Sequence, residues 1–274
     1  MRAHEFIFGD IRSETIREQI LSGASTVVHL ANRGFSASTP PSEAQLAIER
    51  STTLKLAEDA VRAGVSRFIV LSSIHVYGRT LVGNVYDDTP ADPVSTLGIS
   101  RLRIEEDLMA LAESTSMNVT IIRMSNSFGT PAVPRPETWG LLLHDLCKQA
   151  VQSHSLTLRS DPRISRDMMA LRDVVDVLQQ VINSKRVSSG IYLLASGQTN
   201  QLIELAQLVR TEALAQLGKD LSIETSDFAT IPPASFTLSP IKLREAGVMI
   251  PQNREEEIRD LLRYAVQEFH EATS

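Results

Sequence analysis

Two hydroxyl side chains, Ser72 and Ser73, end the nearly all-apolar run Arg67–Leu71, and a phenol follows at Tyr77 within the string FIVLSSIHVYG. Such a run reads as a strand buried on both faces of a parallel sheet. Hydroxyls at its carboxyl edge lie where open α/β folds bind ligands. They can hydrogen-bond a reacting oxygen, or cap backbone groups at the strand end as serine does in many turns. Tyr77 and Tyr86 carry phenols, but Tyr77 reads as a packing residue and Tyr86 lies in a loop, so neither is expected to exchange protons in catalysis. Arg159, Arg163 and Arg166 form either an anion-binding set suited to a diphosphate or an ordinary group of solvated loop charges. The six histidines, His4, His29, His75, His144, His154 and His270, show no ligand spacing with Cys147 or with a carboxylate pair, and no metal site is expected. Glu255, Glu256 and Glu257 open the last helix, where negative charge suits the helix dipole.

The elements that must position these groups alternate along the chain. His4–Phe8 reads as a strand ending at Gly9-Asp10, and Ser13 caps a short helix through Leu21 that stops at Gly23. Ser25–Leu30 is a β-branched strand followed by turn-rich sequence from Asn32 to Pro41. A helix is expected over Ser42–Ala63, closed by Gly64, then the strand Arg67–Leu71, a helix from Gly98 to Glu113 and the strand Val119–Arg123. Repeated βα units of this kind predict an α/β chain with a doubly wound, parallel, Rossmann-like sheet. Beyond Asn126 the texture is more irregular. Pro131, Pro134 and Pro136 precede a helix over Glu137–Gln152, and short strands at Leu156–Leu158, Ile191–Leu194 and Leu221–Glu224 alternate with helices at Leu171–Asn183 and Leu202–Leu217. A last amphipathic helix covers Arg254–Glu271. The expected domains are residues 1–125, Rossmann-like, and 126–274, a smaller substrate lobe whose segment 166–196 returns to the first sheet.

The whole composition fits a folded, soluble chain. Its 274 residues carry 27 Lys+Arg against 33 Asp+Glu, a net charge of −6, and 42% are apolar. Those values exclude wholesale disorder, and the mildly acidic balance without a basic stripe argues against nucleic acid as a partner. A single cysteine points to a reducing, cytoplasmic compartment. No run of about 18 apolar residues is present to span a bilayer, and MRAHEFIFGD lacks the apolar core of a secretion signal.

The string Ser-Ser-x-x-Val-Tyr-Gly in this context resembles the extended short-chain dehydrogenase/reductase family of NAD-dependent nucleotide-sugar epimerases and dehydratases, and the likeness runs over nearly the whole chain. The resemblance implies NAD or NADP as cofactor and a nucleotide sugar as substrate. It places the adenine turn at Asp10-Ile11, a cofactor-lining strand end at Leu30-Ala31, the catalytic Ser/Thr at Ser73, and substrate contacts at Ser73, His75, Asn126 and Arg166. Arg123 and Gly129 accompany Asn126 at the strand end, and Asp173 accompanies Arg166. The family's dimers imply a helix-on-helix interface through Ser42–Ala63 and Gly98–Glu113, either with a second copy or with a full-length relative.

Four departures qualify the resemblance. Ser95-Thr96-Leu97-Gly98-Ile99-Ser100-Arg101 aligns with the family's Tyr-Gly-x-Ser-Lys, so Leu97 stands for the general acid/base and Arg101 for the lysine that lowers its pKa and bonds the cofactor ribose. Leucine has no proton to give, and a guanidinium is not an ammonium in geometry. Glu49 stands where the helix-to-strand passage usually begins with Asn. By the same comparison the chain starts after the family's first strand, glycine-rich turn and helix, a unit of about 30 residues. The loss leaves two alternatives, direct pairing of His4–Phe8 with Ser25–Leu30 or an exposed sheet edge. Thr230–Leu238 also lacks the arginine that relatives often supply to the diphosphate. Two readings follow: an NAD-dependent epimerase or dehydratase, or a non-catalytic descendant that binds a nucleotide sugar or dimerises. The departures favour the second.

Overall fold

The structure is a computed structural model and describes residues 5–31, 41–133, 136–228 and 233–270. In chain order the first elements are α1 (Glu14–Leu21), β1 (Thr26–His29), α2 (Glu43–Arg62), β2 (Arg67–Ser73), β3 (Gly83–Tyr86), α3 (Thr96–Ser114) and β4 (Asn118–Met124). They are followed by β5 (Asn126–Phe128), α4 (Leu142–Gln152), β6 (Ser155–Leu158), β7 (Ser165–Ala170), α5 (Leu171–Asn183) and β8 (Gly190–Leu194). The last are β9 (Thr199–Gln201), α6 (Leu202–Leu217), β10 (Ser222–Thr225), β11 (Phe236–Ser239), α7 (Ile241–Glu245) and α8 (Arg254–His270). The chain divides into two compact units, one of Met1–Thr80, Asp88–Met124 and Ser184–Tyr192, the other of Leu81–Asp87, Ser125–Asn183 and Leu193–Ser274.

The first unit is built on the parallel sheet β1-β2-β4-β8. Pairing runs Thr26 with Arg67 at one end of β1 and His29 with Val70 at the other, while Arg67–Ser73 pair with Asn118–Met124. The central strands β2 and β4 are apolar on both faces because helices cover both. Phe68, Val119 and Ile121 pack with Leu56, Ala57, Ala60 and Leu108 in one core. α2 begins at a capping box: the Ser42 hydroxyl accepts from the Gln45 amide, and the Ser42 amide donates to the Gln45 side chain. Residues 5–8 form no strand, correcting the expectation for His4–Phe8, whose first residue lies outside the described set. Phe6 and Phe8 are almost wholly exposed. Among the described residues nothing pairs with the outer edge of β1, so of the two alternatives the open edge is the one observed. Alternating apolar residues suffice for a strand pattern, but a strand forms only with a partner to take its backbone bonds.

The second unit holds three small sheets: parallel β10-β6, parallel β11-β3, and β5-β7-β9, in which β7 and β9 are antiparallel. Its core joins α4, α6 and α8 through Leu143, Leu146, Leu205, Val209, Leu261 and Leu262. Trp139 stacks on Tyr264 with ring centroids 5.5 Å apart. The helix expected over Glu137–Gln152 is a 3-10 turn at Pro136–Gly140 followed by α4. Tyr86, assigned to a loop, ends β3 and pairs with Ser239 of β11. The turn sequence at 32–40, Pro134 and residues 230–232 of the Thr230–Leu238 region lie outside the described residues.

Candidate functional site

Ser73 is the last residue of β2, at the carboxyl edge of the parallel sheet. Its Oγ accepts from the His75 amide at 3.3 Å, capping the single 3-10 turn Ile74–Val76. His75 itself is exposed. The first turn of α3 packs on this 3-10 turn: a Cβ placed on Gly98 would come within 2.5 Å of the His75 carbonyl. Glycine is required there for close approach, and Leu97, next to it, is half-buried. Position 97, which the resemblance aligns with a phenol, is a leucine.

Below Ser73 the site rests on a buried ionic network. Ser72 Oγ donates to Glu105, and Glu105 in turn takes the Arg123 guanidinium, with Nη2 at 2.7 Å from Oε2. Arg123 lies over the Tyr77 ring, 4.9 Å from its centroid. Arg123 and Tyr77 are both buried, so neither faces a ligand. Burial alone would lower the Arg123 pKa, but the bonds to Glu105 reverse the direction and raise it.

A cavity of about 280 Å³ opens at the carboxyl end of β1, and Asp10, Ile11 and Ala31 line it with Arg12, His29, Gln45, Glu49, Thr52 and Thr53. Three of the expected cofactor residues thus meet in one place, while Leu30 is exposed outside it. Gln45, Glu49, Thr52 and Thr53 come from one face of α2, at helical spacing. His29 Nε2 lies 3.1 Å from Thr53 Oγ1. Burial first, and the charge of Arg101 second, push the His29 pKa down to about 4, so the ring is neutral at pH 7.

Arg101 does not line the cavity. Its Nη1 sits 2.9 Å from Glu49 Oε1, and the two side chains are 9% and 8% exposed. The ion pair satisfies charge without good hydrogen-bond geometry, leaving both Glu49 oxygens and Arg101 Nη2 without hydrogen-bond partners. The cation expected to bond a dinucleotide here is instead paired with Glu49, both of whose carboxylate oxygens are buried. Glu49 was legible only as a departure from a motif, and the helical spacing from Gln45 to Thr53 is the signal that places it with His29.

In the second unit, Asn126 Nδ2 donates to the Asp167 carbonyl at 3.2 Å. Asp167, fully buried, accepts from Ser125 Oγ, Ser196 Oγ and the amides of Ser196 and Gly197, at 2.7–3.0 Å. Arg166, next in sequence, is exposed, gives Nη1 to the Ser165 carbonyl and has no ion pair among the described residues. Arg159 pairs with Asp145 and Arg163 with Asp161, so two of the three loop arginines have ordinary ion-pair partners. His144 is buried against the Gly129 carbonyl at 2.9 Å, and burial lowers its pKa. Among the described residues no group of three or more His, Cys, Asp or Glu is placed to hold a metal, and no helix is long and apolar enough to cross a membrane.

A parallel sheet flanked by helices, with hydroxyls and cavity residues at the carboxyl ends of its strands, defines the Rossmann-like α/β class. Residues 1–195 match the NAD dependent epimerase/dehydratase family, and the chain belongs to that family. A UDP-glucose 4-epimerase of Vibrio cholerae is 30% identical over 216 residues, covering 77% of this chain and 62% of that protein. A dTDP-glucose 4,6-dehydratase of Streptomyces griseus is 27% identical over 218 residues, 78% of this chain and 64% of the relative. The chain therefore spans less than two thirds of the length of these relatives. Among solved structures, a UDP-N-acetylglucosamine 4-epimerase of Methanobrevibacter ruminantium in complex with UDP-N-acetylmuramic acid superposes with a TM-score of 0.80 at 18% identity, over 96% of this chain and 83% of that one. The UDP-glucose 4-epimerase of Thermotoga maritima with UDP-glucose gives 0.78 at 20% identity, over 95% and 84%. These likenesses establish the fold.

Proposed function

We propose that this chain binds a nucleotide sugar in the cytoplasm without oxidising it. The observation that carries the reading is Leu97. It stands in the first turn of α3, next to the Gly98 that packs on the His75 carbonyl, and a leucine neither donates nor accepts the proton that carbinol oxidation requires. The withdrawal of Arg101 into an ion pair with Glu49 supports the same conclusion. The resemblance alone assigns Ser73 and His75, and separately Asn126 and Arg166, to the substrate, an arginine being suited to a diphosphate. The test is calorimetric titration with UDP-glucose and dTDP-glucose, followed by incubation of each with added NAD and NMR analysis of the sugar. Saturable binding with unchanged sugar is expected; epimer or 4-keto product would refute the proposal.

A second reading, pairing through helices, is favoured by the α2–α3 face. A groove of about 800 Å³ is lined by Leu46, Ala47, Leu54 and Ile99 with Arg50 and Asp107. Arg50 and Asp107 bridge the two helices at 2.5 Å and 2.8 Å, holding them at a fixed spacing. Light scattering should show a dimer that Ile99→Arg converts to monomer; a wild-type monomer at all concentrations would refute this reading.

A further inference from the structure

The core needs only one side of α8. Ile258, Leu261, Leu262 and Ala265 are buried there, whereas Asp260, Arg263, Tyr264 and Gln267 follow one another at helical spacing on a different face. With Thr130, whose amide donates to Glu257 Oε1 at 3.3 Å, these four line a cavity of about 310 Å³. The Tyr264 ring is held in a fixed place: it stacks on Trp139 with centroids 5.5 Å apart and planes 8° apart, and Trp139 meets the Phe269 ring edge-on at 4.8 Å. The cavity therefore meets the part of the Tyr264 ring that Trp139 leaves uncovered.

The polar side chains of this face are within reach of a ligand. Arg263 and Asp260 are 62% and 30% exposed, and their bond of 2.9 Å engages only one nitrogen of the guanidinium. Gln267 is exposed, and its amide both donates and accepts. The charges are interleaved rather than of one sign. Asp260 also takes Arg172, which pairs with Glu256 and Glu257 at 2.6 Å each. A phosphate in the cavity meets Asp260 and the two glutamates joined to it through Arg172; an ammonium meets Arg263 and Arg172. Burial first, and the Glu268 charge second, raise the Tyr264 pKa, so the phenol is uncharged at pH 7. What this set suits is an uncharged ring rich in hydroxyls, which give to a carboxylate, accept from a guanidinium and an amide, and leave the ring's C–H face for the electron-rich face of an aromatic side chain. We infer that the α8 cavity is a site for a neutral monosaccharide in its ring form, bound by Asp260, Arg263 and Gln267 against Tyr264. The volume of about 310 Å³ lies at the small end of ligand pockets, which run from roughly 300 to 1,000 Å³. All of these residues belong to the second unit, and the inference does not depend on the nucleotide-sugar reading.

Trp139 is the chain's single tryptophan, so its emission reports on the stack that floors the site. The experiment titrates the intact chain with D-glucose, D-galactose, glucose 6-phosphate, glucosamine and the open-chain hexitol D-sorbitol, reading Trp139 fluorescence and the melting temperature. A neutral hexose should change the emission saturably and stabilise the fold. Sorbitol carries the hydroxyls without the ring face and should bind at least about tenfold more weakly. Arg263→Ala/Gln267→Ala, at two exposed positions, should keep the fold and weaken the hexose at least about tenfold through the loss of two hydrogen bonds, one of them from a charged donor. Tyr264→Leu should weaken it similarly; because Tyr264 also packs on Trp139, the double variant is the deciding one. The inference is overturned if no hexose gives a saturable change, if sorbitol binds as well as glucose, if glucose 6-phosphate or glucosamine binds more tightly than glucose, or if the double variant retains wild-type hexose affinity. UDP-glucose calorimetry on the same double variant separates the two sites. Its loss along with the hexose would mean one shared site and would also overturn the inference, whereas a wild-type chain that binds hexoses but not UDP-glucose supports this site and removes the nucleotide-sugar reading.

Discussion

Acidification from pH 7 to pH 4 should act on this fold through His29 in a way that one substitution isolates. The ring is buried, contacts Thr53, and is held neutral by burial and by the Arg101 charge, with a folded pKa of about 4 against 6.5 when unfolded. A depressed histidine pKa means that the unfolded chain binds the proton first. Stability therefore rises with pH between those two values, and it is lost as pH falls below 6.5, with the loss complete below about 4. At about 1.4 kcal/mol for each tenfold in proton affinity, the loss is about 2 kcal/mol by pH 5 and about 3 kcal/mol by pH 4. Other groups add to the pH dependence of both proteins, so the informative quantity is the difference between wild type and His29→Gln. Urea unfolding followed by far-ultraviolet circular dichroism, at half-unit steps of pH, supplies it. At pH 7 the variant should be less stable by about 1 kcal/mol, the worth of the bond to Thr53. By pH 4 it should be the more stable of the two. A difference that stays constant from pH 7 to pH 4 would refute the argument, because a histidine with the same pKa in both states contributes no slope.

Three further substitutions probe the supports of the site. Glu105→Gln leaves Arg123 buried beside Tyr77 without its carboxylate, and urea denaturation should show a loss of about 3–5 kcal/mol. Gly98→Ala forces a Cβ against the His75 carbonyl; the expected loss is about 1–3 kcal/mol, with nucleotide-sugar affinity falling further than stability because Ser73 is displaced. Asp167→Asn turns one oxygen that accepts from Ser196 and Gly197 or from Ser125 into a donor facing donors, and should lower the melting temperature while leaving Arg166 exposed and chemically unchanged.

The elements legible in the sequence were those whose own residues supply both pattern and boundary. α5 and α6 were placed to the residue over Leu171–Asn183 and Leu202–Leu217, and the strand run RFIVL reads as buried because helices cover both faces of β2. Short polar strands were not legible. GNVY at β3 and FTLS at β11 form because they pair with each other across a long stretch of chain, which no local pattern encodes. The converse error at His4–Phe8 has the same cause: alternation without a partner yields no strand. The motif singles out Ser73, Leu97 and Arg101, but not what each touches. Ser72, adjacent to a motif serine, is committed to Glu105, and Arg101 to Glu49, both through contacts made only by the packing of α3 on its neighbours.

Leu97 and Arg101 stand one helical turn apart on α3, so side chains at these positions are neighbours, with Cβ atoms about 6 Å apart. Restoring a phenol by Leu97→Tyr would place it near a guanidinium, and an opposite charge at such range normally lowers an acid's pKa by about one or more. Here the guanidinium charge is already compensated by a carboxylate 2.9 Å away. The new phenol should therefore keep a pKa near about 10, while the same phenol in Leu97→Tyr/Glu49→Gln should titrate lower by about one. Difference ultraviolet titration against the parent chain, which cancels its four native tyrosines, reads both values. A depressed phenol in the single variant would show that Glu49 does not mask Arg101. Equal values in both variants would show that Arg101 never reaches position 97, and would leave Leu97 and Glu49 as unrelated changes.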